Sequence, residues 1–344
     1  MSADGIIYPY GETLPEPGTT LELVPGVRWI RMPLPYALNH INLWLIADGS
    51  QADGGPWCAV DTGMAMGEVQ THWEQILTCH TLSRQIVTHY HPDHLGLAAW
   101  LQDKTGAPMA MTQAEYLTAQ AFAEEIGNYS VAATNTLFRH HGLSEERLAA
   151  LAGRGNGYKR GVPRIPLTYT RLRAGQQVHI GAHAWKVMIG HGHCPEHAAL
   201  YCADLGVLIA GDMLLPSIST NVAVFAPNPD DDALTDFLES IRAFTSLPDD
   251  TLVLPSHGRP FRGIRSRVAA LEQHHAERCA ELVSACREQS HTAASLLPIL
   301  FRRDITDPHQ TLFAMSEAIA HLNYLVRRGE LTCSTEDDIH RYRA

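Results

Sequence analysis

Thr88-His89-Tyr90-His91-Pro92-Asp93-His94-Leu95-Gly96 decides how the rest of this chain is read. Just before it, Gln85-Ile86-Val87 has the apolar, β-branched character of the end of a buried parallel strand. Just after it, Leu97 to Lys104 predicts a helix, with Asp93 or a neighbour supplying the cap. Three imidazoles and a carboxylate therefore sit on a strand-to-helix loop, where an open α/β sheet places its chemistry. His89 and His91 alternate with Tyr90, so in extended backbone they point the same way. Pro92 forces a turn that lets Asp93 and His94 converge with them. Imidazole nitrogen and carboxylate oxygen at this density suit a borderline cation such as zinc. A lone His is more often a packing or surface residue, and the chain has 20 of them. A His-x-His-x-Asp-His run at ligand spacing is a much narrower pattern.

The remaining composition sets bounds on this reading. A chain of 344 residues allows one large domain or two smaller ones, each able to bury a core. Apolar residues at 45% and charged residues at 18% are those of a soluble globular protein. A formal net charge of −11 argues against a non-specific nucleic-acid binder, which needs clustered Lys and Arg. The 7 Cys form no C-x-x-C pair, so neither a disulfide framework nor a zinc ribbon is expected. Their odd number and scatter fit reduced thiols in a cytoplasm. Met1-Ser2-Ala3-Asp4-Gly5 lacks the basic and apolar regions of a signal peptide. With no run of about 18 apolar residues, no membrane span is expected.

Taken in order, residues 1–20 are rich in Pro, Gly and Glu and predict an irregular arm. Leu21 to Met32 predicts a hairpin around Pro25-Gly26. Asn42–Ile46 and Trp57–Asp61 predict strands, and Met66–Cys79 a helix. Residues 107–110 predict a short strand. A helical insert over about 112–176 follows, with Thr112 as N-cap, helices over 113–127, 131–141 and 144–152, and a loop over 153–161. Such an insert is longer than a simple connection needs, and its position suggests a lid. Sheet periodicity returns near Gln177–Ile180. Strands are predicted over 184–189, 198–202, 207–210 and 251–254, and a helix over 230–247 with three Asp at its start. Beyond residue 265 the pattern changes. Helical spacing over 268–286 and 312–326 leads to a terminal hairpin built from 331–333 and 339–342.

His89-x-His91-x-Asp93-His94 resembles the signature of the metallo-β-lactamase-fold hydrolases. The resemblance continues in order. Ala59-Val60-Asp61-Thr62-Gly63 resembles the family's early strand ending in Asp, and Gly190-His191-Gly192-His193 its Gly-His segment. Ala210-Gly211-Asp212 resembles the strand carrying a bridging carboxylate, and Leu254-Pro255-Ser256-His257-Gly258 the last ligand loop. The implied fold is α/β, a four-layer αββα sandwich over residues 21–265 with the helical insert inside it. Residues 266–344 would form a C-terminal helical, winged-helix-like module, which packs rather than reads DNA in some relatives.

The same resemblance implies ligands. His89, His91 and His193 would hold a first metal, and Asp93, His94 and His257 a second. Asp212 would bridge them, with Asp93 also taking a proton from the attacking water. The cofactors implied are two divalent ions, zinc being expected and iron or manganese also suiting the donor set. Such a pair can trap a hydroxide at neutral pH and polarise a carbonyl or phosphoryl oxygen. Asp61 and His197 would stand behind the ligands, although Asp61 could equally be a turn carboxylate. Cys194 reads as a small residue behind the site. In the insert, Phe122, Tyr129 and Tyr158 are candidate substrate-binding residues, with Arg154, Lys159 and Arg160 as polar anchors.

The implied activity is hydrolysis of a small acyl thioester, ester or lactone, resembling glyoxalase-II-type enzymes. The alternative is a metal-dependent nuclease or phosphodiesterase, which Arg259, Arg262, Arg265 and Arg267 would favour and the overall acidity opposes. A non-hydrolytic iron-dependent member is a third class, against which the full ligand set argues. The expected partner is a small molecule, not a membrane, and a homo-oligomer is left open.

Overall fold

The apolar runs of the first half of the chain pair into one seven-stranded sheet of the computed structural model, which describes residues 5–344. Its strands are β1 (Leu21–Val24), β2 (Val27–Pro33), β3 (His40–Ala47), β4 (Trp57–Val60), β5 (Leu82–Ile86), β6 (Met109–Thr112) and β7 (Thr170–Leu172), in that spatial order. β1 to β4 pair antiparallel and β4 to β7 parallel. Helix α1 (Gly67–Ile76) precedes β5, and α2 (Pro92–Leu95) and α3 (Ala98–Thr105) precede β6. The insert before β7 holds α4 (Gln113–Ala123), α5 (Val131–His140), α6 (Glu145–Gly153) and α7 (Gly157–Gly161).

A second sheet has the order β12-β11-β10-β9-β8, from β8 (Gln177–Ile180), β9 (His183–Gly190), β10 (His197–Cys202), β11 (Val207–Gly211) and β12 (Leu252–Pro255). Helix α8 (Ala233–Ala243) connects its last two strands. Then come α9 (Ile264–Glu288), α10 (Ala293–Phe301), α11 (Pro308–Arg327) and the hairpin β13 (Thr332–Glu336) and β14 (Ile339–Arg343).

Strand periodicity explains the layering. In β3, Trp44 and Ile46, beside Trp29 of β2, face the second sheet, where they meet Trp185, Val187, Leu200 and Ile209. The alternate residues Ile41, Leu43 and Leu45 face Trp73 and Ile76 of α1 and Leu101 of α3. On the far side, Leu208, Ala210 and Val253 meet Phe237 and Ile241 of α8 and Val268 of α9. Helix, sheet, sheet, helix is the result, and each such buried side chain contributes roughly 1.5–3 kcal/mol.

Several sequence expectations need correction. Asp93 caps no helix: it lies in the first turn of α2, whose N-cap is His91, and α3 begins separately at Ala98. Thr112 is the N-cap residue of α4 as expected, but its hydroxyl donates to Glu196 O instead of accepting from the first turn. The stretch read as a loop over 153–161 contains α7, started by Asn156, whose side chain accepts the Lys159 N–H. β7 precedes the expected return of sheet structure, and its two exposed residues hide it from any periodicity. The C-terminal unit also has a helix that was not expected, α10, where Pro298 inside an almost wholly apolar run masks the helical pattern.

The insert divides by its partners. Leu137, Phe138, Leu148 and Leu151 of α5 and α6 join the same core as Leu296, Leu297, Met315 and Ile319 of α10 and α11. Arg147 fixes that contact by donating to Ile305 O at 2.7 Å and Thr311 Oγ1 at 2.8 Å. α4 and α7 instead lie on the His89–Gly96 loop, against Tyr90 and Leu95. Four residues of the expected N-terminal arm lie outside the described residues. The remainder is strapped to the sandwich through Ile7, which pairs with Arg262. Among the described residues no helix is long and apolar enough to cross a membrane.

Candidate metal centre

The parallel strands β4 and β5, and the parallel pair β11 and β12, end at the same edge of the sandwich. Asp61 follows β4, His89 follows β5, Asp212 follows β11 and His257 follows β12. The turn between β9 and β10 brings His193 to the same edge. Gly211, at φ +56°, makes the turn into Asp212, where any Cβ would strike the His197 ring.

Two groups of donor atoms form there. In the first, His89 Nε2 is 2.9 Å from His91 Nδ1 and 3.2 Å from His193 Nε2. Asp212 Oδ2 completes it, 3.4 Å from His193 Nε2 and 4.0 Å from His89 Nε2. In the second, Asp93 Oδ2 is 3.7 Å from His94 Nε2 and 3.5 Å from His257 Nε2. Asp212 Oδ1 lies 3.5 Å and 3.6 Å from the same two nitrogens. Asp212 thus turns one oxygen to each group.

These residues fit metal ions on their own geometry. A tetrahedral set with metal–nitrogen bonds of 2.0–2.1 Å places its donors about 3.3 Å apart. His94 Nε2 and Asp212 Oδ1 are buried and have no hydrogen-bond partner, a costly state unless a cation lies between them. The opposite nitrogen of each ring is fixed. His94 Nδ1–H donates to Asp61 Oδ2 at 2.8 Å, His193 Nδ1–H to Asn221 O at 2.7 Å, and His257 Nδ1–H to His40 O at 2.8 Å. His89 Nδ1 meets Thr88 Oγ1 at 3.1 Å, while the Thr88 hydroxyl donates to Asp61. In those four rings the Nε2 lone pair is left facing inward, the usual arrangement behind metal-ligating histidines.

The electrostatics agree. Burial, then the neighbouring imidazoles, hold His89 and His91 well below the ordinary imidazole pKa, so both lone pairs are free. Burial also opposes a charge on His94. Asp61, Asp93 and Asp212 outweigh it and raise that ring's affinity for a proton well above normal. A cation would occupy the same carboxylate field. Burial opposes the charge on Asp212, but His257 and His94 more than offset it and its pKa lies well below the usual range. Burial, with His193, pushes His197 down to about 3. That neutral ring accepts the Asp212 N–H at 3.1 Å, which fixes the backbone that carries the Asp212 carboxylate.

Three groups that sequence reasoning missed support these loops. Glu115, on α4, accepts the Tyr90 N–H at 2.9 Å and the Glu196 N–H at 2.7 Å, joining the first and second ligand loops. Asn221 accepts the His193 ring on its carbonyl and donates its amide to Glu317 Oε2 of α11 at 2.7 Å. A helix of the C-terminal unit is therefore tied to His193 of the first donor group through one residue. Nothing in the sequence marks these positions, because a single Glu on a helix ordinarily reads as part of a solvated face.

The candidate substrate residues surround Tyr90. Phe122 stacks on it with centroids 5.4 Å apart, and Tyr129 meets Phe122 edge-on at 5.0 Å. Tyr158 donates its hydroxyl to Tyr90 O at 2.8 Å. Phe122 and Tyr129 line a cavity of about 250 Å³ together with Tyr90, Cys194, His191 and Phe225. Cys194 is buried beside Glu115, and burial raises its thiol pKa strongly. Three of the four arginines that would favour nucleic acid are engaged elsewhere. Arg259 pairs with Glu12 and covers Tyr8, Arg265 pairs with Asp249, and Arg267 is buried on Leu215 O and Ile218 O.

Comparison with known proteins gives one answer. The family model described as metallo-beta-lactamase superfamily matches residues 82–257, and that described as metallo-beta-lactamase-like, C-terminal domain, matches 279–344. The curated "Probable metallo-hydrolase YqjP" of Bacillus subtilis is 23% identical over 317 residues, 88% of this chain and 93% of its own. A beta-lactamase domain protein from Burkholderia ambifaria is 44% identical, with a TM-score of 0.90 over 98% of both chains. A metallo-beta-lactamase family protein from Thermus thermophilus is 28% identical, with a TM-score of 0.78 over 94% of this chain and 99% of that one. This chain belongs to the metallo-beta-lactamase superfamily of metal-dependent hydrolases.

Proposed function

We propose that the protein is a dinuclear hydrolase of small acyl thioesters, esters or lactones. The observation that carries this reading is the all-nitrogen-and-oxygen donor set around Asp212, set beside a cavity whose walls include Tyr90, Phe122, Tyr129 and Phe225 rather than a basic track. His89, His91 and His193 would hold one ion, Asp93, His94 and His257 the other, and Asp212 both. Zinc is the ion this set suits best. When bound, such a pair lowers the pKa of water and polarises an acyl oxygen.

The chain's own residues do the rest. Asp61, Asn221 and His40 keep three imidazoles in the tautomer that presents Nε2. Asp93 keeps 21% side-chain exposure, against 10% or less for Asp212, His89, His94, His193 and His257. It is thus placed to take the proton of an attacking water that enters from solvent. Phe122 and Tyr129 would receive the apolar acyl group, so that binding energy remote from the reacting carbonyl helps position it.

A panel of acyl thioesters, lactones, β-lactams and phosphodiesters, tested on the metal-replete protein, decides the class. Preferential turnover of thioesters, esters or lactones supports the proposal. Turnover of phosphodiesters alone would replace it with the nuclease reading.

A further inference from the structure

Asp93 is the open side of the centre, and three distant parts of the chain meet beyond it. Tyr36, on the loop between β2 and β3, stacks on His309 of α11 with ring centroids 4.5 Å apart and planes 22° apart. His309 meets the edge of Phe313 at 5.0 Å. From the insert, Arg154 Nη2 reaches His309 Nδ1 at 3.1 Å, and Arg160 donates to Arg154 O at 2.7 Å.

Two features set this group apart from ordinary surface. Two neighbouring cations of the insert are neutralised, Arg139 by Glu145 and Lys159 by Glu124, and Arg147 is held by Ile305 O and Thr311 Oγ1. Arg154 and Arg160 have no carboxylate partner among the described residues, in a chain of net charge −11. Tyr36 and Phe313 are also left 39% and 38% exposed, although most large apolar side chains are buried. Burial raises the Tyr36 phenol pKa, Asp93 raises it further, and Arg154 and Arg160 oppose both. Asp93 and Arg154 also act on the His309 ring.

We propose that Arg154 and Arg160, with Tyr36, His309 and Phe313, bind an anionic group on the leaving part of the substrate, a phosphate or a carboxylate. This rests on the thioester or ester reading above and deepens it. The guanidiniums would take the anionic oxygens in charge-assisted hydrogen bonds, and the exposed rings would pack on the body of the carrier. The site would then select substrates by their carrier, whereas Phe122 and Tyr129 select by acyl group. It would also give the C-terminal unit a direct part in specificity through α11.

The test compares one acyl group on three thiols: coenzyme A with phosphates, glutathione with carboxylates, and neutral N-acetylcysteamine. Wild type should favour one charged carrier, and the preference should weaken with added salt. In the Arg154→Ala/Arg160→Ala double variant the ratio of kcat/KM between charged and neutral carriers should fall at least about tenfold, with metal content unchanged. Arg154→Lys/Arg160→Lys should keep most of the preference, which separates lost charge from misfolding. A binding arm stands apart from catalysis: calorimetric titration of metal-replete protein with S-methyl-coenzyme A and with S-methyl-glutathione. Binding of either probe that the Ala double variant loses supports the site even if no thioester is hydrolysed, and the probe that binds identifies the anion. Equal binding by wild type and the Ala variant, or no binding of either probe, overturns it.

Discussion

Glu317 is a buried carboxyl whose only described side-chain partner is the amide of Asn221, and Asn221 in turn holds the His193 ring. Burial raises its pKa from 4.5 to about 7, the Asn221 hydrogen bond opposing only in part. The sign follows from linkage. The folded state holds this proton more tightly than the unfolded chain, so its stabilisation is complete below pH 4.5 and is lost as pH rises through 7. A displacement from 4.5 to 7 corresponds to roughly 3 kcal/mol. Glu317→Gln stays neutral at every pH and its oxygen can still accept from Asn221. The variant should match wild type near pH 4.5 and exceed it by up to roughly 3 kcal/mol above pH 8. Urea unfolding of both proteins in chelator, from pH 5 to 8, reads this as a widening gap. Equal destabilisation of the variant at both ends would refute the reasoning, because Asn221 would then require an ionised carboxylate. Glu317→Ala tests the tether itself. It leaves the Asn221 amide without its main acceptor, at a cost of about 1–3 kcal/mol, and should weaken metal binding through His193.

Asp61→Ala removes the acceptor that orients His94 and should lower metal affinity about 10–100-fold, measured by competition with a chromophoric chelator. Glu115→Ala leaves the buried Tyr90 N–H and the part-buried Glu196 N–H unpaired. It should cost about 2 kcal/mol or more of stability in urea, as both ligand loops lose their common anchor. Phe122→Ala or Tyr129→Ala should reorder the ranking among acyl groups at constant metal content. Tyr158→Ala, which frees Tyr90 O, should instead reduce all activities in parallel and lower the melting temperature. The same parallel loss with Phe122→Ala would count against an acyl pocket formed by the insert.

The legible parts of this protein were those with local constraints. The His89–His94 run, Asp61 at the end of β4, and Asp212 and His257 after β11 and β12 are each short strand-to-loop signals, and their side chains meet at one edge. The core face of β9 could be read by alternation. Contacts made over long separations left no such trace. Glu115 reaches Glu196 and Asn221 reaches Glu317 across 81 and 96 positions. Local pattern also failed where composition masked it, as Pro298 did in α10 and the Gly- and Arg-rich stretch did in α7. Arg154 and Arg160 could be picked out as cations of the insert, but not as neighbours of Tyr36 and His309, which come from opposite ends of the chain.

The central claim is that seven side chains hold two metal ions that share Asp212. Elemental analysis of protein purified without chelator tests it most directly, run beside Asp212→Ala and His257→Ala. The account predicts close to two equivalents in the wild type and about one in each variant, with hydrolytic activity lost alongside. A reproducible single equivalent in the fully active wild type, or two equivalents retained in Asp212→Ala, would contradict it.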